Sequence, residues 1–300
     1  MTIAASVRDP ALTTARTRRR ARRRPGARPW TFYALAAFFI FYVLALYGPM
    51  FCIYILSFQD VRGGLVFPVK GLSLHWFNDL FTQVRTGDVK GAFSRSLRLA
   101  LLVTVITVVV SFMAGLAFRR RFWGDTVVFY LMIGSLVAPG LVLGLGVGLI
   151  FQYLGLQPSW YTSALGAQLS WTLPFGVLVM FAVMSRFDGV WEEAARDLGA
   201  TRLQIIRLVV VPILMPGLIA VALFGFTLSY DEFARTLQTT GGLNTLPLEI
   251  WSMMLNVTSP ALYALGTVTT LVSFIAIAAA LGGITLLQRR LARRAGATEG

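Results

Sequence analysis

The chain is 300 residues long, 56% hydrophobic and only 13% charged, yet its formal net charge is +14. Soluble domains run at roughly 45–50% apolar and 25% charged, and a soluble fold needs more polar cover than these residues supply. The composition excludes a soluble enzyme, a disordered chain and a nucleic-acid-binding domain, and implies an integral membrane protein whose first partner is the lipid bilayer.

Scarce residue types remove further chemistries. Cys52 is the sole cysteine and His75 the sole histidine, which excludes an internal disulfide, a thiolate cluster and a histidine-pair metal site. No cluster of carboxylates, Ser/His pairs or metal ligands recurs at one depth, so no catalytic residue, metal or cofactor is expected. Lys70 and Lys90 are the only lysines, each preceded by valine and followed by glycine. A Walker A loop needs Gly-Lys-Ser/Thr, so any ATP-driven step falls to another subunit.

Residues 1–29 hold nine arginines. Three readings compete for them: a nucleic-acid arm, a twin-arginine signal and a disordered cytoplasmic anchor. The apolar stretch behind them is too long for a signal sequence and ends without a small-x-small cleavage site, which favours the anchor. Six windows then reach roughly the 20 apolar residues a helix needs to cross a bilayer: 30–57, 96–118, 126–151, 163–184, 208–229 and 261–287. Arg98 is their only Arg, Lys, Asp or Glu. Unbroken apolar runs of this length are helices, since barrel strands would alternate. The expected fold is an all-α membrane protein with six transmembrane helices. The N-terminal tail, 119–121, 185–207 and 289–294 together hold 20 of the 27 basic residues. By the positive-inside rule both termini are cytoplasmic, flanking a transmembrane domain over 30–287 and a short tail over 288–300.

In the outer segment 58–95, Leu72, Trp76 and Leu80 recur every four residues beside Phe77 and Phe81. That is an amphipathic helix's spacing, either on the outer membrane face or buried as a loop helix. His75 there reads as an interfacial residue rather than a ligand. In the third window Gly140, Gly144 and Gly148 form a small-residue seam for close approach of another helix. Pro139 beside it, and Pro174 in the fourth window, each free a carbonyl and bend the helix. Such bends either line a substrate route or serve as packing kinks. The third to sixth helices lack the mid-membrane carboxylates and histidines of ion-coupled carriers until Asp231 and Glu232, at the outer end of the fifth. A gate driven by another subunit fits better than a self-energised pump.

Residues 185–212 read SRFDGVWEEAARDLGATRLQIIRLVVVP. Trp191, Ala194, Ala195 and Leu198 can share one face of a short helix, Gly199 suits its left-handed end, and Thr201 can cap a second helix that runs into the membrane before Pro212. The segment predicts a rigid helix–turn–helix knob.

This loop resembles the EAA motif of ABC-importer permeases: Glu193-Ala194-Ala195, Gly199, Val209-x-Val211 and Pro212 stand at that spacing. GLSLHWFNDLF, FTLSYDEF and TLPLEIWSM extend the resemblance from the first helix to the sixth, towards the spermidine/putrescine permeases of the C-subunit type. The resemblance implies a permease subunit of a type I importer in a bacterial inner membrane. It implies four kinds of partner contact: an ATPase subunit dimer, a second, different permease subunit, a periplasmic solute-binding protein and the bilayer, with no nucleic acid. It assigns Glu192, Glu193, Ala194, Ala195, Asp197, Gly199 and Ala200 to ATPase coupling. In that setting the second permease would pack against the glycine-rich and proline-bent faces, and a polyamine route would use Pro139, Trp171, Pro174, Tyr230, Asp231, Glu232 and Trp251. Opines, phosphonates, amino-acid derivatives or ferric iron are alternative cargoes, and a non-transporting scaffold is the rival of another class.

Overall fold

The structure, a computed structural model, describes residues 29–65, 67–82, 87–120, 122–256 and 259–296. The basic tail expected at 1–29 lies, except for Pro29, outside the described residues, as does Arg121. Among the described residues the backbone is helical, with one isolated β-bridge between Gln59 and Leu72. Five helices are long and apolar enough to cross a membrane, and one bent helix pair adds a sixth span if its halves are counted together. The chain is therefore an all-α, multi-spanning membrane protein.

The described residues divide into two units, one up to Cys52 and the other from Ile53 onward. Helix α1 (Trp30–Leu56) begins in the first; it is apolar on all sides and carries Pro49 in its interior. A helix with no polar face suits lipid rather than water.

In the second unit, α2 (His75–Thr82) turns Leu80, only 2% exposed, into a core containing Tyr230, Leu246 and Leu265, with Trp76 and Phe77 packed alongside. The Trp76 indole N–H donates to the Gln59 carbonyl at 2.8 Å, and His75 Nε2 lies 3.0 Å from Asp79 Oδ2. Leu72 leaves the expected stripe: it precedes the helix and is 81% exposed. The segment is a loop helix that buries Asp79 and Leu80 and leaves Asn78 and Thr82 exposed.

Helices α3 (Val89–Phe118), α6 (Ser163–Met184) and α8 (Arg202–Tyr230) form the centre of this unit. Small residues bring them together: a Cβ on Gly176 would collide with Ser111 and Thr107 of α3 and press on Val221 of α8. Hydroxyls then bond across the contacts, Thr107 Oγ1 to Thr172 Oγ1 at 3.1 Å and Ser229 Oγ to Gln168 Oε1. Within α8 a π-helical turn, Ile206–Val210, precedes Pro212. Proline has no N–H for the carbonyl four residues back; the wider turn, in which the Val211 N–H bonds Ile206 O, absorbs the break and the span continues.

The third window differs most from expectation. In place of one kinked span, α4 (Asp125–Val137) and α5 (Gly140–Tyr153) meet at 107°. Steric conflict with Pro139 excludes Ala138 from helical geometry; Ala138 is extended (φ −63°, ψ 132°), and α4 ends one residue before it. The elbow turns the glycine seam towards this chain's own backbone. A Cβ on Gly144 would stand 2.7 Å from Arg235 O, and one on Gly148 2.7 Å from Gln238 O. The seam expected to receive a second permease is thus occupied by residues 235–238.

Pro174 leaves α6 unbroken. The carbonyl it cannot partner, that of Ser170, accepts a hydrogen bond from Ser135 Oγ of α4, so a protein hydroxyl and not a polar cavity satisfies the freed group. The chain ends with α9 (Leu246–Asn256) and α10 (Ala261–Gly296). Helix α10 runs through most of the segment expected to be a tail from residue 288.

Gly144→Leu should lower the thermal midpoint of the detergent-purified chain, because overpacking costs about 1–3 kcal/mol. Gly146→Leu, on a face with nothing within 4 Å of its added Cβ, should leave the midpoint unchanged in the same fluorescence-detected melting assay.

Candidate functional site

The knob predicted for residues 185–212 is present. α7 (Val190–Asp197) ends where Gly199 takes φ +81°, a left-handed conformation that costs glycine little. Thr201 caps the start of α8 reciprocally with Gln204: the Thr201 N–H donates to Gln204 Oε1 at 2.8 Å, and the Gln204 N–H to Thr201 Oγ1 at 3.5 Å. Two fixed ends make the turn rigid.

The faces of α7 differ. Ala195, with Ala200 beyond it, packs on the core of Met180, Met184 and Ile205. Val190, Trp191 and Leu198 point away from that core at 60%, 60% and 89% exposure, and Ala194 lies exposed among them. An apolar patch on a protruding, polar-rimmed helix is the mark of a docking surface. Glu193 and Asp197 are exposed beside it. Glu192 turns inward: its carboxylate lies 2.6 Å from Arg119 Nη1 at the end of α3 and 3.6 Å from Arg196 Nη2. The Arg119 guanidinium also sits over the Phe187 ring at 5.0 Å. Glu192 ties the knob to α3, whereas Glu193 is left facing outward.

At the other end of the bundle the seven expected pathway residues separate into groups. Pro139 forms the α4–α5 elbow. Trp171, on α6, lies under the guanidinium of Arg235 at 4.6 Å. Glu232 is 6% exposed; it accepts the Arg235 backbone N–H at 2.8 Å and stands 3.6 Å from Arg235 Nη1. A Cβ added to Gly140 would meet Arg235 Nη1 at 2.9 Å. Elbow, indole and ion pair therefore share one place. Pro174 is linked to the elbow through the carbonyl it frees, that of Ser170, which Ser135 of α4 bonds. Tyr230 is walled into the core, 1% exposed and stacked on Phe226. Asp231 and Trp251 are exposed, the latter with its ring 5.5 Å from Phe233.

Sequence reasoning missed two residues here. Arg235 is 6% exposed, and its Nε has no hydrogen-bond partner among the described residues. The sequence marks it only by isolation, as the sole Lys or Arg between residues 208 and 288. Glu249, within TLPLEI, accepts from Asn244 Nδ2 at 2.8 Å and from the Asp88 N–H at 2.9 Å. Arg95 adds to this knot by donating from Nε to the Asn244 carbonyl at 2.7 Å. The same guanidinium, 2.9 Å from Asp88, holds that carboxyl below the usual carboxylate range. Among the described residues no three His, Cys, Asp or Glu side chains are grouped to hold a metal ion.

The buried pair yields a direct test. Arg235→Ala should destabilise the chain by about 3–5 kcal/mol, because it leaves a buried carboxylate unpaired. The double variant Glu232→Gln/Arg235→Met should recover most of that loss in thermal melts. Equal or greater loss in the double variant would show that packing, and not the pair, holds the loop.

Comparison with known proteins gives a concordant result. Residues 97–294 match the family described as binding-protein-dependent transport system inner membrane component. The chain is 30% identical over 236 residues to the spermidine/putrescine transport system permease protein PotC of Escherichia coli K12, covering 78% of this chain and 87% of that protein. It is 28% identical over 247 residues to the putrescine transport system permease protein PotI of the same organism, covering 80% and 85%. Its fold is similar to a chain of a bacterial alginate ABC transporter in complex with a pentasaccharide-bound periplasmic protein, with a TM-score of 0.65, 16% identity and coverage of 87% and 95%. On the match over residues 97–294 and the 30% identity to a permease of this kind, the chain belongs to the binding-protein-dependent family of inner-membrane transport components.

Proposed function

We propose that this chain is one permease subunit of an ATP-driven type I importer and that α7 is the element through which a separate ATPase subunit drives it. The observation that carries this reading is the exposed apolar face of α7, set on a rigid knob and tied to α3 through the Glu192–Arg119 pair. In this reading Val190, Trp191, Ala194 and Leu198 enter a groove of the ATPase. Glu193 and Asp197 supply charged contacts at its rim. The packing of Ala195 and Ala200 and the turn at Gly199 make α7 move as one piece with α3, α6 and α8. ATP binding would draw two such knobs together and switch a permease pair between inward- and outward-facing states by rigid-body motion. Both termini and the knob are cytoplasmic in this arrangement, a reading the arginine distribution supports. A periplasmic binding protein delivers cargo at the opposite end, and a second permease subunit completes the route.

For the cargo we infer a small polyamine-like cation, supported by the polyamine permeases among the relatives and by the exposed Asp231 near the aromatic Phe233–Trp251 pair. A second reading has its own support. Arg235 already stands against Glu232 and Trp171, so that carboxylate is neutralised from within. A buried guanidinium beside the route suits a solute bearing an acidic group, such as an opine, a phosphonate or an amino-acid derivative.

Trp191→Ala should weaken retention of the co-expressed ATPase on the purified permease about tenfold or more, the usual effect of removing a central aromatic anchor. Gly199→Pro should abolish cargo-stimulated ATP hydrolysis, since proline's φ near −65° cannot replace +81°. Full coupling in both variants would overturn the proposed role of the knob. Asp231→Asn should slow uptake of labelled putrescine at limiting concentration while leaving the complex assembled; unchanged uptake would remove the cationic mouth.

A further inference from the structure

We propose that a cleft behind the knob is a binding site for the headgroup of an anionic phospholipid. The cleft encloses about 650 Å³ between the last turn of α3, the inner side of α7 and the first turn of α8. Its walls carry four arginines, Arg119, Arg120, Arg196 and Arg202, against one carboxylate, Glu192. Glu192 is engaged by Arg119 and Arg196. Arg120 and Arg202 have no ion pair among the described residues, so among those residues the cleft keeps a surplus of positive charge.

Its remaining lining is apolar: Leu116 and Ala117 from α3, and Ile205 and Ile206 from α8. These residues belong to helices long and apolar enough to cross a membrane; Leu116 and Ala117 stand at the end of one and Ile205 and Ile206 near the start of the other, with Arg119, Arg120 and Arg202 at those same ends. That sequence of surfaces matches a phospholipid, acyl chain below and phosphate above. Guanidinium groups are suited to the phosphate, because their planar fork of donors fits two of its oxygens.

The geometry of α7 argues against the ATPase as occupant. Glu192 and Arg196 lie on the side of α7 opposite Val190, Ala194 and Leu198, four-residue neighbours on a 3.6-residue helix. A partner seated on the exposed apolar face leaves the cleft free, enclosed between knob and bundle. A lipid bound there through Arg120, at the end of α3, and Arg202, at the start of α8, joins the two spans beside the knob and thus stiffens the lever of the proposed transport mechanism.

The test uses the full chain purified with its partner subunits, washed in detergent and reconstituted in nanodiscs. Labelled phosphatidylglycerol should be retained in preference to phosphatidylcholine. Arg120→Gln/Arg202→Gln, which spares both Glu192 pairs, should reduce that retention about tenfold or more, as expected from removing two cations at a lipid surface. Three outcomes would overturn the proposal: unchanged phosphatidylglycerol retention in the variant, equal retention of phosphatidylcholine, or displacement of the lipid by millimolar inorganic phosphate, which would make this a free-anion site. Loss of the ATPase from the variant with lipid retention intact would overturn it too, by making the cleft a protein-docking surface. Lipid retention is read without ATP or cargo, so failure of the coupling mechanism leaves this readout unaffected.

Discussion

Lipid offers no hydrogen bonds, so every break in a helix must be repaired by the protein itself, and this constraint organises the rest of the bundle. Five prolines interrupt the apolar spans, Pro49, Pro139, Pro174, Pro212 and Pro216, and at three of them the repair is visible. The repairs differ. Ser135 supplies a hydroxyl to the carbonyl orphaned by Pro174, a π-helical turn precedes Pro212, and at Pro139 the helix stops and turns by 107°. That last repair has the largest consequence, because it carries the glycines of α5 onto residues 235–238. A non-helical loop becomes tolerable there because protein surrounds it: the Ser163 hydroxyl donates to the Thr239 carbonyl at 2.6 Å, and Thr236 and Thr239 bond back to their own turn.

The two ends of the central helices are held by different chemistry, and this suits a lever. At the knob end the links are few: the Glu192–Arg119 pair, the alanine contacts of α7 and a helix cap. Opposite them, residues 231–256 are held by several bonds. Glu249 joins Asn244 to Asp88, Arg95 fastens Asn244, and the Ser96 hydroxyl accepts the Leu246 N–H at 2.8 Å. Each bond is modest alone, about 0.5–1.5 kcal/mol, but together they join α3 to the loop that closes over the elbow. In the proposed coupling role, motion imposed on α7 would reach this loop through α3, α6 and α8 as packed bodies.

Charge is divided in the same way. The basic excess lies in the N-terminal tail and in alternate connections, the distribution the positive-inside rule reads as orienting a chain and not as marking a cargo. The carboxylates are more informative, yet they do not act as a set: Glu192 is structural, Glu193 faces outward, Glu232 is neutralised by Arg235, and Asp231 alone of the outer pair is open. A pair of neighbouring acidic residues in the sequence is thus two different environments in the fold, since successive residues at a helix end point to different sides.

Much of this protein was legible in its residues. Long apolar runs specify membrane helices because 20 residues at 1.5 Å each match a bilayer. The knob could be read because its signals are local: a left-handed glycine, a threonine cap and alanines at helical spacing act within one turn. Leu72 failed the same test because a backbone bridge to Gln59 and the start of α2 at His75 lie outside a four-residue pattern. The glycine seam was visible but its partner was not, since Gly144 meets Arg235 across some ninety residues of chain and through an elbow whose angle no spacing encodes. The burial of Arg235 and the knot around Glu249 were silent for the same reason. By itself the sequence determined what each segment is and which medium it requires, because periodicity, caps and apolar length are local properties. Only the tertiary structure decided which surfaces are spent inside the chain and which remain to meet a partner, because burial and ion pairing depend on where distant segments come to rest.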